Sequence, residues 1–175
     1  VSQIAEMLLK DFKLEPGNRV LLRGGNSIGM ALAWLGVVKA GLIAVATMPL
    51  LRAVELDKII DKARPALAIC DVGLLKEMVP AAQDARDKLP VLCFGDPARL
   101  DGMEARAARR SSDVAGCVTA ADDVALLSFT SGTTGAPKAV VTTHRDVLAA
   151  CNAWPRSVLK ATPDDVVTGS PPLAF

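Results

Sequence analysis

Hydrophobic and polar positions alternate between two periods along this chain. Ile4, Met7 and Leu8 share one helical face, so the chain opens in a helix. After the turn Pro16-Gly17-Asn18, the run Arg19-Val20-Leu21-Leu22-Arg23 predicts a short strand. Ser27 is placed to cap a helix from Ile28 to about Ala40, and Leu42 to Ala46 returns to strand. Across 52–63, Ala53, Leu56, Ile59, Ile60 and Ala63 form one stripe, with Glu55, Asp57, Lys58, Asp61 and Lys62 outside it. That is an amphipathic helix, ended by Pro65. Ala66 to Cys70 predicts a strand, 73–87 a helix, and Val91-Leu92-Cys93-Phe94 a fourth strand.

Strands separated by helical segments predict an α/β fold with a doubly wound, mostly parallel sheet flanked by helices. Residues 96–121 break the rhythm. Asp96-Pro97 and Asp101-Gly102 mark turns there, and Arg106, Arg109 and Arg110 form a basic cluster. The expectation for this stretch is a solvated connection. A second unit begins near Asp122, with a strand over Val124 to Thr130, a polar glycine loop, and a strand over Ala139 to Thr143. A helix from Arg145 to about Leu159, a turn at 162–165 and a last strand near Val166 to Thr168 follow. The expected division is one α/β subdomain over 1–121 and the start of a second over 122–175.

Composition changes this picture in three places. Hydrophobic residues make up 51% and charged residues 22%, which excludes a disordered chain. The net charge of +1 supplies no field to attract nucleic acid or an anionic membrane, so any bound anion must be captured by local geometry. Between Ile28 and Leu51 the single charge is Lys39, a hydropathy profile that imitates a membrane span. The helix stop Lys39-Ala40-Gly41 and Pro49 divide it instead into a buried helix and a buried strand. Cys70, Cys93, Cys117 and Cys151 are widely spaced and His144 is the sole histidine, so no zinc site is expected. The cysteines read as small buried hydrophobes in a reducing, cytoplasmic setting. The chain starts at Val1 and stops at Phe175 inside an apolar segment, as expected for a portion of a longer protein.

Three segments suggest nucleotide chemistry. Arg23-Gly24-Gly25-Asn26-Ser27-Ile28-Gly29 joins a strand to a helix, but Asn26 stands where the dinucleotide fingerprint needs a second glycine, and the next strand ends without an acidic residue. These glycines are expected to serve a tight turn. Asp71 ends a strand as a phosphoacceptor would, yet the first strand ends in Arg23-Gly24-Gly25 and offers no acidic magnesium pocket. Capping the next helix is the simpler role for Asp71. The third segment is stronger. Phe129-Thr-Ser-Gly-Thr-Thr-Gly-Ala-Pro-Lys138 lies between two predicted strands, and its glycines let backbone N–H groups turn toward an anion. Thr130, Ser131, Thr133 and Thr134 add hydroxyl donors, and Lys138 adds a positive charge suited to phosphate. It is not a Walker loop. Counting from Gly132, that pattern asks for glycine at 137 and a hydroxyl at 139, where Pro137 and Ala139 stand.

The run from Ser128 to His144 resembles the phosphate-loop signature of the adenylate-forming acyl- and aryl-CoA ligase superfamily, which includes luciferases and the adenylation domains of peptide synthetases. Gly17-Asn18-Arg19-Val20, Val38-Lys39-Ala40-Gly41 and the segment before Asp71 are similar to its large N-terminal domain. Met48-Pro49-Leu50-Leu51-Arg52 and Ser170-Pro171-Pro172-Leu173-Ala174-Phe175 are similar to benzoate and 2-aminobenzoate CoA ligases. The resemblance implies a two-step reaction. A carboxylate attacks the α-phosphate of Mg-ATP and expels pyrophosphate, and the thiol of coenzyme A then displaces AMP.

On that resemblance Thr130, Ser131, Thr133, Thr134 and Lys138 contact the β- and γ-phosphates, while Gly132 and Gly135 let the loop wrap. Phe175 is a candidate acyl-pocket aromatic, standing where many members carry histidine. His144 matches the histidine after the loop, as a cap of the following helix or as a site residue. Ala139 departs from the usual glycine. The resemblance places the adenine, ribose and Mg2+ sites and the C-terminal lysine beyond Phe175. No catalytic residue or metal ligand is therefore assigned within 1–175, the remainder of the chain is an implied partner, and residues 1–175 alone are expected not to catalyse adenylation. An amino-acid adenylation domain serving a carrier-protein thiol and a non-catalytic nucleotide-binding module are the alternatives.

Overall fold

In the computed structural model, residues 1–130, 137–166, 168, 169, 171 and 173 are described. Strands β1 (Arg19–Arg23), β2 (Ile43–Thr47), β3 (Leu67–Asp71), β4 (Val91–Phe94), β5 (Val124–Thr130) and β6 (Lys138–Thr143) form one sheet in the order β4-β3-β1-β2-β5-β6. All pairings are parallel except β5 with β6. The doubly wound sheet read from the sequence is therefore present. Because β5 pairs with β2, the sheet runs on across the division expected near Asp122.

Helices cover both faces, so the central strands are buried on both sides. On one face α1 (Ser2–Asp11), α2 (Ile28–Lys39) and the short α5 (Met103–Ala107) enclose Val20, Leu22, Ile69 and Phe94. On the other, α3 (Ala53–Ala63) and α4 (Leu75–Asp84) enclose Leu21, Val45 and Cys70. The apolar stripe of α3 is the face that is buried, at Leu56, Ile59, Ile60 and Ala63. Helix α2 stops as read. Gly41 takes a left-handed φ of +73°, and the N–H groups of Gly41 and Leu42 return to the carbonyls of Val38 and Val37, a Schellman ending. Among the described residues, no helix is long and apolar enough to cross a membrane.

Four expectations change. The 96–121 connection is docked: it contains α5, Arg106 and Arg110 both pair with Asp11 of α1, and Arg106 lies 5.7 Å from the Phe12 ring centroid. A carboxylate on the first helix was too distant in sequence to be matched with those arginines. The helix expected to reach Leu159 ends as α6 at His144–Asn152, and a π-helical segment, Ala153–Leu159, follows. Pro155 lies inside that segment and cannot donate the hydrogen bond an α-helix requires. Val166 and Thr168 have no strand pairing, and Val166 is exposed; Val167 lies outside the described residues. Of the cysteines only Cys70 and Cys93 are buried, side by side across β3 and β4, while Cys151 is exposed.

Candidate phosphate site at the β5–β6 hairpin

The carboxyl ends of the parallel strands form one edge of the sheet, where open α/β sheets bind ligands. Three segments meet this edge: the glycine-rich turn after β1, the 48–52 connection after β2, and the hairpin after β5. Thr130 ends β5 and Lys138 begins β6, and the two are cross-strand partners with exposed positions. Ser131, Gly132, Thr133, Thr134 and Gly135 lie outside the described residues, as does Phe175. The antiparallel return at Lys138 bears out the reading that a strand, not a helix, follows the loop.

The structure adds a contact on the loop's exit that the sequence did not disclose. Lys62 of α3 donates from Nζ to the Pro137 carbonyl at 3.0 Å, tying the residue before Lys138 to the helix. In the sequence Lys62 was one of several charges outside the α3 stripe, and nothing separated it from the others.

At the end of β1, Arg23 is almost fully buried. Its guanidinium donates to the carbonyls of Met48 at 3.0 Å, Pro49 at 3.0 Å and Leu51 at 2.6 Å, fastening the β2–α3 connection to β1. Burial pushes its pKa down, and the nearby Cys70 and Glu77 oppose that shift. Five donors in a rigid fork suit a guanidinium to gathering three carbonyls.

The glycines beside Arg23 have another purpose than the tight turn expected. Neither Gly24 nor Gly29 has positive φ. A Cβ on Gly24 would stand 2.8 Å from Phe94 Cζ, and one on Gly29 would stand 2.7 Å from Phe94 Cδ2. Their missing side chains make room for the buried Phe94 ring. Asp71 takes the capping role read for it. Its carboxylate accepts from the Gly73 N–H at 2.8 Å, at the start of the 3-10 turn Val72–Leu74.

His144 does not cap α6. Thr143 does, its hydroxyl accepting from the Asp146 N–H while the Asp146 carboxylate accepts from Thr143. Those bonds hold the Asp146 carboxyl below the usual carboxylate range. His144 is the first residue of the helix, and its backbone N–H donates to the Asp123 carbonyl at 3.1 Å. An open cleft of about 750 Å³ lies at the opposite, amino edge of the sheet, lined by Asp57, Asp61, Arg64, Asp84 and Arg86 among others.

The family model described as AMP-binding enzyme matches residues 1–175. The chain belongs to the AMP-binding enzyme family. Among curated relatives, the benzoate–CoA ligase of Thauera aromatica is 26% identical over 178 residues, covering 100% of this chain and 33% of that protein. The peroxisomal OPC-8:0-CoA ligase 1 of Arabidopsis thaliana is 31% identical over 156 residues, covering 85% and 28%. Among solved structures, apo MatB from Rhodopseudomonas palustris superposes with a TM-score of 0.84 at 28% identity, over 99% of this chain and 33% of that one. The chain thus spans about a third of the length of the relatives it matches. The resemblance read from Ser128 to His144 is borne out at the level of family and fold.

Proposed function

We propose that the full-length protein containing this chain activates a carboxylic acid with ATP, forming an acyl-adenylate, and transfers the acyl group to coenzyme A. The observation that carries this reading is the placement of Thr130 and Lys138 as partners across the β5–β6 hairpin, at the carboxyl edge of the sheet of an AMP-binding family member. In the first step the acid oxygen attacks the α-phosphorus, and the bond to the β-phosphate oxygen breaks. Negative charge then builds on the departing pyrophosphate. Oriented N–H groups, the hydroxyls of Thr130, Ser131, Thr133 and Thr134, and the Lys138 ammonium stabilise that charge. Gly132 and Gly135 let the loop close on the phosphates.

Among the described residues, no group of three or more His, Cys, Asp or Glu side chains is gathered to hold a metal ion. The contribution proposed for Thr130, Ser131, Thr133, Thr134 and Lys138 is direct contact with phosphate oxygens. Residues 122–175 are read as the start of a second subdomain. In support, Val140, Val141, Leu148 and Trp154 of β6 and its following helices are exposed, as surfaces covered by further chain would be.

The acid is proposed to be aromatic, benzoate or 2-aminobenzoate. The segments 48–52 and 170–175 and the benzoate–CoA ligase relative support this choice. Phe175 is assigned to the wall of the acid pocket, and a cytoplasmic location follows from the supply of ATP and coenzyme A. Acid-dependent ATP–pyrophosphate exchange tests the proposal, with benzoate, 2-aminobenzoate, a fatty acid and several amino acids on the full-length protein. Exchange with an aryl acid is expected. Exchange confined to an amino acid would replace coenzyme A with a carrier-protein thiol as the expected acceptor.

A further inference from the structure

The segment 171–173 is tied to the sheet by one side chain, Asn26. Its amide Nδ2 donates to the Pro171 carbonyl at 2.9 Å, and its Oδ1 accepts from the Leu173 N–H at 2.8 Å. One carboxamide therefore holds an acceptor and a donor of the same backbone segment. Pro171 and Pro172 have no N–H, so Leu173 carries the first backbone donor after Ser170. Asn26 takes that donor and the Pro171 carbonyl together. Among the described residues, these are the two hydrogen bonds joining 166–173 to the remainder of the chain.

The position of the clamp gives it a use. Asn26 lies three residues past Arg23, on the turn at the carboxyl end of β1, and Thr130 lies at the carboxyl end of β5. Only β2 separates β1 from β5. The clamp and the phosphate loop are therefore about 10 Å apart along one edge, two strand spacings. An acid that attacks the α-phosphate of an ATP whose β- and γ-phosphates sit at the hairpin approaches along that edge, on the side where Asn26 holds Pro171 and Leu173. Phe94 packs against Gly24 and Gly29, which flank Asn26 in the turn.

We propose that Asn26 is a positioning residue for the acid subsite: its carboxamide clamps Pro171 and Leu173 at the carboxyl edge of the sheet and so fixes one wall of that subsite. The inference rests on the acid-activation reading above. Asn26→Ala removes both bonds. Asn26→Asp keeps the acceptor for Leu173 but faces the Pro171 carbonyl with an oxygen. Because Asn26 is exposed, neither change should endanger the fold, and an unchanged melting temperature checks this.

Two readouts are taken on the full-length protein. Hydrogen–deuterium exchange of the Leu173 amide should quicken about tenfold or more in Asn26→Ala, the factor that 1.4 kcal/mol represents, and less in Asn26→Asp, which keeps its acceptor. In ATP–pyrophosphate exchange the KM for the acid should rise about tenfold, with the KM for ATP within about twofold of wild type. Faster Leu173 exchange with an unchanged acid KM would overturn the proposal, since the clamp would then shape no part of the subsite. An equal rise in both KM values would also overturn it, marking the clamp as support for the nucleotide or the fold. If wild type exchanges with no acid at all, the activation reading fails and this role falls with it; the Leu173 amide then reports on the clamp alone.

Discussion

The Phe94 ring and the two glycines beneath it give the sharpest stability prediction. In Gly29→Ala the new Cβ would lie 2.7 Å from Phe94 Cδ2 and 3.1 Å from Cε2, and Phe94 is fully buried, so its ring cannot swing into solvent. Overpacking of this kind costs about 1–3 kcal/mol. Against it stands the better helix propensity of alanine, up to about 1 kcal/mol and smaller here in the first turn of α2. The net expectation is a loss of about 1–2 kcal/mol, or roughly a 0.5–1 M lower urea midpoint at unchanged m. Phe94→Leu alone should cost about 1 kcal/mol through lost burial. Combined with Gly29→Ala it should cost less than the sum by about 1 kcal/mol, because the smaller side chain frees the space that Cβ needs. Urea denaturation of the four proteins completes the cycle. A Gly29→Ala protein as stable as wild type, or strictly additive effects, would refute the packing role of these glycines and return them to turn formation.

Two further outcomes follow from buried groups. Arg23→Met should lose about 2 kcal/mol, because three carbonyls lose a charged donor while the desolvation of an unpaired guanidinium is relieved. A more stable variant would show that desolvation outweighs the clamp. Burial pushes the Cys70 thiol up to about 12 and raises Cys93 as well. A folded-state pKa above the unfolded one means stability that is full below the unfolded thiol pKa of about 8.5 and falls as pH rises toward 12. The loss from Cys70 approaches about 1.4 kcal/mol per pH unit over that window. Denaturation midpoints should hold level from pH 7 to 8 and drop beyond 9, less steeply in Cys70→Ala; a level profile to pH 11 would contradict the account.

Local pattern carried most of the fold. The β1–β4 runs, the α3 stripe and the α2 stop depend on residues within one element, where period and capping operate, and they stand within a residue or two of the reading. The errors arose where partners are distant. Asp11 and Arg110, Asn26 and Pro171, and Lys62 and Pro137 are paired only once the chain has folded, and no spacing signals them. Gly24 and Gly29 were misread for the same reason, since glycine in a turn and glycine beneath a ring look alike until Phe94 arrives. The phosphate loop can be proposed from the sequence because its chemistry is local, with hydroxyls, glycines and a lysine within ten residues.

The central claim is that the β5–β6 hairpin stabilises the pyrophosphate leaving group during acid activation. Acid-dependent ATP–pyrophosphate exchange by full-length wild type beside Lys138→Ala tests it most directly. Loss of one charge aimed at the departing phosphates should slow exchange about 10²-fold or more, with the urea midpoint unchanged because Lys138 is exposed. Exchange at the wild-type rate in Lys138→Ala would contradict the claim and assign the phosphates to another part of the protein.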